Sequence, residues 1–136
     1  MSYEILKHTA DLRMKVRASS LEELFKEALK GMMNILRNEK LEMRNKKAMR
    51  TVTVYASDRT ALLVDFLNEA LSLAQIHKEI YTNVAFSTFS EIALQAALLG
   101  VKVNEFDEDI KAVTYHEADV RQNEKGEWET MLVFDI

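Results

Sequence analysis

The stretch Trp128-Glu129-Thr130-Met131-Leu132-Val133-Phe134-Asp135-Ile136 alternates with the two-residue period of a β-strand. Strand residues two apart point to the same face of a sheet. One face therefore carries Trp128, Thr130, Leu132, Phe134 and Ile136, while Asp135 lies on the other face with Met131 and Val133. Ala112–Arg121 and a turn at residues 123–126 precede this strand, and together they predict an antiparallel hairpin.

The same alternation predicts further strands upstream, at residues 3–7, 12–18, 51–56 and 84–89. Residues 92–99 are ambiguous, because their composition favours a helix and their short length favours a strand. We predict a strand there, since Gly100 closes the run and no capping residue opens a helix.

Apolar residues that recur at helical spacing predict two amphipathic helices. The first begins with the capping box Ser20-Leu21-Glu22-Glu23 and runs to about Arg37. The second is capped by Ser57 or Asp58 and runs to about His77. Strands interrupted by two helices predict an α+β fold, a two-layer sandwich of mostly antiparallel sheet with both helices packed on one side. The length of 136 residues predicts one domain over residues 1–136.

The composition excludes several classes of function. The chain has no cysteine, which rules out thiolate metal sites, thiol nucleophiles and disulfides and fits a reducing compartment. A formal net charge of −4 argues against broad electrostatic binding to nucleic acid. No stretch approaches the roughly 18 apolar residues of a membrane span, and the first residues lack the layout of a signal peptide. We therefore expect a soluble, cytoplasmic protein.

Polar residues near the two ends of the sequence are the first candidates for chemistry. If Ile136 carries the final carboxylate, Asp135 and that group put two hard anions on adjacent residues. Such a pair must be solvated, matched by a cation or used. A polar break, His8-Thr9-Ala10-Asp11, separates the first two strands. Lys111 is either an exposed lysine at a strand start or a cation that balances carboxylates or reaches a phosphate.

A polar stripe on the second helix is the next candidate. Its members are Asp65, Asn68, Glu69, Ser72 and Gln75. A solvated helix surface explains the stripe, and so does an acidic ridge for a basic partner or a metal. Asp65 and Glu69 repel each other at i,i+4 by about a few tenths of a kcal/mol, a cost that folding tolerates without any function.

The remaining polar clusters do not support a common enzyme. Residues 105–109 lack the ligand spacing of a calcium-binding loop, and we predict a solvated loop or helix start there. His8, His77 and His116 are scattered and lack the spacing of a zinc hydrolase. The sequence contains no nucleophile elbow and no glycine-rich phosphate cradle. The basic residues of 44–50 predict an exposed strand entrance, with a phosphate contact as the alternative.

Four blocks of the sequence, taken together, resemble the archease family. They are His8-Thr9-Ala10-Asp11, Leu62-Leu63-Val64-Asp65-Phe66-Leu67-Asn68-Glu69, Ile110-Lys111-Ala112-Val113-Thr114-Tyr115-His116 and Val133-Phe134-Asp135-Ile136. Each block alone is weak, but the blocks stand in the family's order and span nearly the whole chain. The sequence departs from the family at residues 12–14 and 17–20, where archeases often carry glycine or another small residue. These differences fall at turns and not at the candidate site, so they bear on loop geometry more than on activity.

This resemblance implies a non-catalytic activator of the RNA-splicing ligase that uses GTP to join 2′,3′-cyclic phosphate or 3′-phosphate ends to 5′-hydroxyl ends. It places metal ligands at Asp11, at Asp135 and at the main-chain or terminal carboxylate oxygen of Ile136. The residues expected to serve the partner are Lys111, Asp65, Glu69, His8 and His116. Hard oxygen donors favour Ca²⁺, with Mg²⁺ or Mn²⁺ as alternatives.

Two other functions stay open at the level of sequence. One is a chaperone or modulator of RNA-modifying enzymes such as tRNA methyltransferases, a role also proposed for the archease family. The other is a stand-alone metal-dependent hydrolase that uses the same carboxylates, although the chain offers it neither a general base nor a phosphate cradle. In the favoured function the partner is the ligase, and the protein contacts RNA only indirectly, through the ligase.

Overall fold

A computed structural model describes residues 1–7, 11–37 and 46–136, and His8 therefore lies outside the described residues. The elements in chain order are β1 (Ser2–Lys7), β2 (Asp11–Ala18), α1 (Leu21–Leu36), β3 (Lys47–Tyr55), α2 (Arg59–His77), β4 (Glu79–Phe89), β5 (Ala93–Lys102), β6 (Ala112–Thr114), β7 (Arg121–Gln122) and β8 (Trp128–Asp135).

The strands form two antiparallel sheets. The first sheet has the order β1-β2-β8-β6, with β7 also paired to β8, and the second has the order β3-β5-β4. Strands from opposite ends of the sequence thus lie side by side at the centre of the first sheet. The register of β2 and β8 places Leu12 opposite Phe134 and Asp11 opposite Asp135. Leu12, Met14, Leu132 and Phe134 are buried, as the alternation of both strands predicts.

Both helices begin at capping residues that the sequence predicts. The Ser20 hydroxyl accepts a hydrogen bond from the Glu23 main-chain N–H at 3.1 Å. The Asp58 carboxylate accepts one from the Ala61 N–H at 2.8 Å, which decides between the two residues considered for the second cap. These bonds satisfy main-chain donors that a first helical turn leaves without a partner.

The predicted α+β class is confirmed, and the structure adds how the layers meet. Helix α1 packs against β2 and β4, and α2 packs against β3 and β6, so each helix contacts strands of both sheets. The prediction of helices on one side of a sheet did not anticipate this double contact. Gly31 of α1 lies against β2, because a Cβ at this position would collide with the Met14 sulfur and force the Met14 side chain to shift. The apolar core consequently fills the space between the helices and both sheets.

Residues 92–99 are confirmed as strand, since they lie almost wholly in β5. Gly100 continues β5 beyond the predicted end, where it pairs with Tyr81 of β4. A Cβ at Gly100 would lie 1.8 Å from the Ile80 carbonyl oxygen, so only glycine allows the two strands to come this close. The register of β4 and β5 shifts just after this point.

The predicted strand Ala112–Arg121 is wrong in its middle. The structure has only β6 and β7 there, joined by a bent segment in which Glu117 has a φ of 62°. The main-chain N–H groups of Asp119 and Val120 donate to the hydroxyls of Thr130 and Thr60, each at 2.9 Å. Side chains from distant elements thus replace ladder partners. Local alternation could not reveal this.

A buried ion pair ties β3 to β4. Glu79 is fully buried, and Arg50 donates to both of its carboxylate oxygens at 2.8 Å. The Tyr81 hydroxyl donates to the same carboxylate at 2.8 Å, and the Lys102 ammonium lies 3.9 Å away. Mainly because of Arg50, the pKa of Glu79 lies below its usual value. Within the predicted strand entrance at residues 44–50, Arg50 is therefore a structural cation, while Lys46 and Lys47 are exposed.

No helix in the described parts of the chain is both long and apolar enough to cross a membrane. The acidic residues 105–109 contain no helix or strand, in agreement with the predicted loop.

Candidate functional site

The pairing of β2 with β8 brings two carboxylates together. Asp11 and Asp135 are direct cross-strand partners, so their side chains leave the same face of the sheet. Asp135 is exposed and Asp11 is partly buried. The Asp11 Oδ1 atom is itself buried and has no hydrogen-bond partner among the described residues. A carboxylate oxygen that is desolvated and unpaired costs free energy, and a bound cation would remove that cost.

Strand β6 completes this corner of the sheet on the other side of β8. Ala112 pairs with Asp135, and the main-chain N–H of Lys111 donates to the Asp135 carbonyl oxygen at 2.7 Å. The Lys111 side chain is exposed and forms no ion pair with the carboxylates of the described residues. The structure therefore brings the predicted residues Asp11, Asp135, Ile136 and Lys111 to one corner of the first sheet.

Side chains from the polar stripe of α2 hydrogen-bond to main-chain groups of Ile110 and Val113, next to this corner. The Asn68 amide donates to the Val113 carbonyl oxygen at 2.8 Å and accepts from the Val113 N–H at 2.9 Å. The Gln75 amide donates to the Ile110 carbonyl oxygen at 2.6 Å. Much of the stripe thus binds protein, and the solvated surface that the sequence also allowed is limited to its exposed members Glu69, Ser72 and Gln75, of which Gln75 also makes the bond to Ile110.

Tyr115 is a functional candidate that sequence reasoning did not single out. The residue is 58% exposed, and its hydroxyl donates to the Asp65 carboxylate. This hydrogen bond is the main reason why the pKa of Tyr115 is raised, with burial as a smaller cause. Tyr115 therefore keeps its proton at neutral pH, and Asp65 is held in place by a partner within the chain.

Glu69 and His116 have no such partner. Both are exposed, and neither side chain forms a hydrogen bond or ion pair with the described residues. The main-chain N–H of His116 donates to the Thr114 hydroxyl at 3.3 Å, so only its backbone is anchored. Their imidazole and carboxylate groups are accessible to another molecule.

Arg13 adds a positive charge that the sequence reasoning missed. It lies two residues from Asp11 on β2 and therefore on the same face, about 7 Å along the strand. Its guanidinium contacts the Glu117 carboxylate at 3.1 Å. This ion pair ties the bent segment between β6 and β7 to β2.

The donor set at this corner suits a hard divalent cation. Carboxylate and main-chain oxygens are the ligands that Ca²⁺ and Mg²⁺ prefer. In the described ranges no three side chains of His, Cys, Asp or Glu converge on a common point. An ion on Asp11 and Asp135 would therefore take its other ligands, about four to six for Ca²⁺, from main-chain oxygens, water or a partner.

Comparison with known proteins identifies relatives over nearly the full length. Residues 3–136 match the family model described as Archease protein family (MTH1598/TM1083). Protein archease of Pyrococcus abyssi is 31% identical, and the match covers 98% of both chains. Protein archease of Methanosarcina barkeri is 29% identical, with 98% of this chain and 95% of that protein covered.

Two solved structures share the fold. The solution structure of Methanobacterium thermoautotrophicum protein 1598 matches with a TM-score of 0.70 at 22% identity, covering 98% of each chain. The crystal structure from Thermotoga maritima, described as an archease and possible chaperone, matches with a TM-score of 0.68 at 17% identity, covering 98% of this chain and 96% of that one.

Proposed function

Because this chain belongs to the archease family, we propose that it is a metal-binding accessory protein that activates the GTP-dependent RNA-splicing ligase. In this function it promotes guanylylation of the ligase histidine and multiple turnover during tRNA splicing and RNA repair in the cytoplasm. The observation that carries the proposal is the opposed pair Asp11 and Asp135, with its buried and unpaired carboxylate oxygen.

The residues at the corner have distinct tasks in this proposal. Asp11, Asp135 and a main-chain oxygen at Ile136 hold the ion, for which Ca²⁺ is the best match and Mg²⁺ or Mn²⁺ are alternatives. When bound, the ion supplies positive charge that orients nucleotide phosphates and stabilises the charge that develops on them. The exposed ammonium of Lys111 is free to contact a phosphate or a carboxylate of the ligase.

An incomplete site suits an activator that works inside the active centre of another protein. Two carboxylates leave most positions of a calcium ion to water or to the partner. Among the described residues, the corner presents carboxylates and an ammonium but no activated nucleophile, so we propose that the protein acts by orientation and charge and leaves covalent chemistry to the ligase.

Multiple-turnover ligation measures this function directly. Purified ligase, GTP and an RNA pair with matching ends are combined with wild-type protein, with Asp11→Ala, with Asp135→Ala or with a chain that lacks Ile136. We expect stimulation by the wild type and little or none by the three variants. The matched control is Glu124→Gln, which removes one negative charge at the exposed turn before β8, at the opposite end of β8 from Asp135, and should stimulate fully. Full stimulation by all three site variants would refute the proposal.

A second candidate is a chaperone or modulator of RNA-modifying enzymes such as tRNA methyltransferases. The observation in its favour is that the structurally similar Thermotoga maritima protein is described as a possible chaperone. Affinity capture from native lysate separates the two functions when the captured proteins are identified. The ligase as main partner, lost in Asp135→Ala, supports activation, and a methyltransferase as main partner supports the second candidate.

A further inference from the structure

Strand β6 is too short to hold its place without help. It has three residues and lies at the edge of the first sheet, next to β8. Short edge strands contribute few ladder bonds, and their position depends on what covers them. The Thr114 hydroxyl adds one bond to β8, to the Val133 carbonyl oxygen at 3.1 Å. The remaining support comes from α2.

Asn68 supplies that support by making the two hydrogen bonds that a neighbouring strand would make on the open side of β6. Its carboxamide bonds both the N–H and the C=O of Val113, the middle residue of β6, at 2.9 and 2.8 Å. Donor and acceptor of one amide lie side by side, so a single residue can satisfy both groups, as the main chain of a neighbouring strand would. The bond pair is partly buried and therefore resists competition from water.

The main chain links Val113 to the candidate metal site. Two residues before Val113, the Lys111 N–H donates to the Asp135 carbonyl oxygen. Asp135 is in turn the cross-strand partner of Asp11. If β6 moved away, the end of β8 would keep a neighbour on one side only. The separation of the two carboxylates would then vary, and a cation needs that separation to be constant.

We propose that Asn68 is a positioning residue of the metal site, which it keeps in shape by holding β6 against the end of β8. The inference rests on the proposed function, because it assumes that Asp11 and Asp135 bind a divalent cation. Asn68 touches neither carboxylate, and it acts through Val113, Lys111 and the main chain of Asp135.

Two substitutions on α2 separate positioning from general stability. Asn68→Leu keeps the size of the side chain and removes both bonds to Val113. Thr60→Val is the matched control, because it removes a similar bond from the same helix, the one accepted from the Val120 N–H at 2.9 Å, away from β6. Ca²⁺ affinity is measured by calorimetry, and thermal stability is measured in parallel without metal.

We expect both Asn68→Leu and Thr60→Val to melt earlier than the wild type, and only Asn68→Leu to bind Ca²⁺ more weakly. Loss of a residue that orients a metal ligand typically weakens affinity by about 10- to 100-fold, so a change of at least about tenfold is expected. Equal Ca²⁺ affinity in Asn68→Leu and Thr60→Val would overturn the inference.

Hydrogen exchange provides a readout that needs no metal. The Lys111 amide donates a hydrogen bond to the Asp135 carbonyl oxygen and should therefore exchange slowly in the wild type. In Asn68→Leu this amide should exchange at least about tenfold faster than in Thr60→Val, because local opening of β6 exposes it. Unchanged protection would refute positioning by Asn68. If protection falls as expected while the wild type fails to bind Ca²⁺, the metal-binding function is refuted and the positioning of β8 by Asn68 stands.

Discussion

Replacement of Asp11 by asparagine should stabilise the metal-free protein while it destroys the proposed site. Directly opposed residues of antiparallel strands have Cβ atoms about 5 Å apart, and Asp11 and Asp135 are such a pair. Two unit charges at about 5 Å repel each other by about 0.8 kcal/mol in water and about 3 kcal/mol at an effective dielectric constant of about 20. Since Asp135 is exposed, the lower figure is the better guide.

Asp11→Asn removes this repulsion and also lets the new amide donate a hydrogen bond to Asp135. A gain of about 1 kcal/mol corresponds to a rise of about 3–5 °C in the melting temperature of a chain of this size. The assay is thermal unfolding in EDTA, with Glu124→Gln as a control for the loss of one negative charge. Glu124 lies at an exposed turn, and its variant should stay within about 0.5 kcal/mol of the wild type.

Calcium should reverse the order of stability. A ligand at 100 times its dissociation constant stabilises the protein that binds it by about 2.7 kcal/mol. The wild type should therefore gain more from Ca²⁺ than Asp11→Asn and overtake it. An Asp11→Asn protein that melts below the wild type in EDTA would refute the claim that the opposed carboxylates are strained without a cation.

Three further predictions concern the scaffold. Gly100→Ala should destabilise the protein by at least about 2 kcal/mol in chemical denaturation, because the added methyl group collides with the main chain of β4. The pKa of Glu79 is lowered, so the stability that its carboxylate contributes should be complete above the usual pKa of 4.5 and should be lost as the pH falls below that value. Chemical denaturation between about pH 3 and pH 6 should show an unfolding free energy that decreases as the pH falls in the wild type, and a smaller decrease in Glu79→Gln. Asp58→Ala should cost about 1 kcal/mol through the lost helix cap, measured by thermal unfolding, and should not change Ca²⁺ affinity.

Elements whose signals are local could be predicted from the sequence. Ser20 capped the first helix as expected, and alternation placed Leu132 and Phe134 on the buried face of β8. The strand predicted at residues 92–99 is also correct, although their composition favours a helix and Gly100 continues β5 instead of closing it. In each case the residues that carry the signal are neighbours in sequence, so short-range geometry was sufficient.

The bend between β6 and β7 could not be predicted, because its main-chain bonds go to distant hydroxyls. The hydroxyls of Thr60 and Thr130 accept hydrogen bonds from the N–H groups of Val120 and Asp119, and no pattern in residues 112–121 indicates either partner. The polar stripe of α2 was visible in the sequence, but its role was not. Whether Asn68 faces water or another strand depends on how the helix packs.

Periodicity and capping are local properties of the chain, so they were sufficient to predict the helices and most strands, and the ordered family blocks pointed to the candidate residues Asp11, Lys111 and Asp135. The pairing of Asp11 with Asp135 and the bonds from Asn68 to the strand beside them became visible only in the three-dimensional fold. Strand register joins residues from opposite ends of the chain, and it is chosen by the packing of whole sheets and helices, which no short stretch of sequence contains.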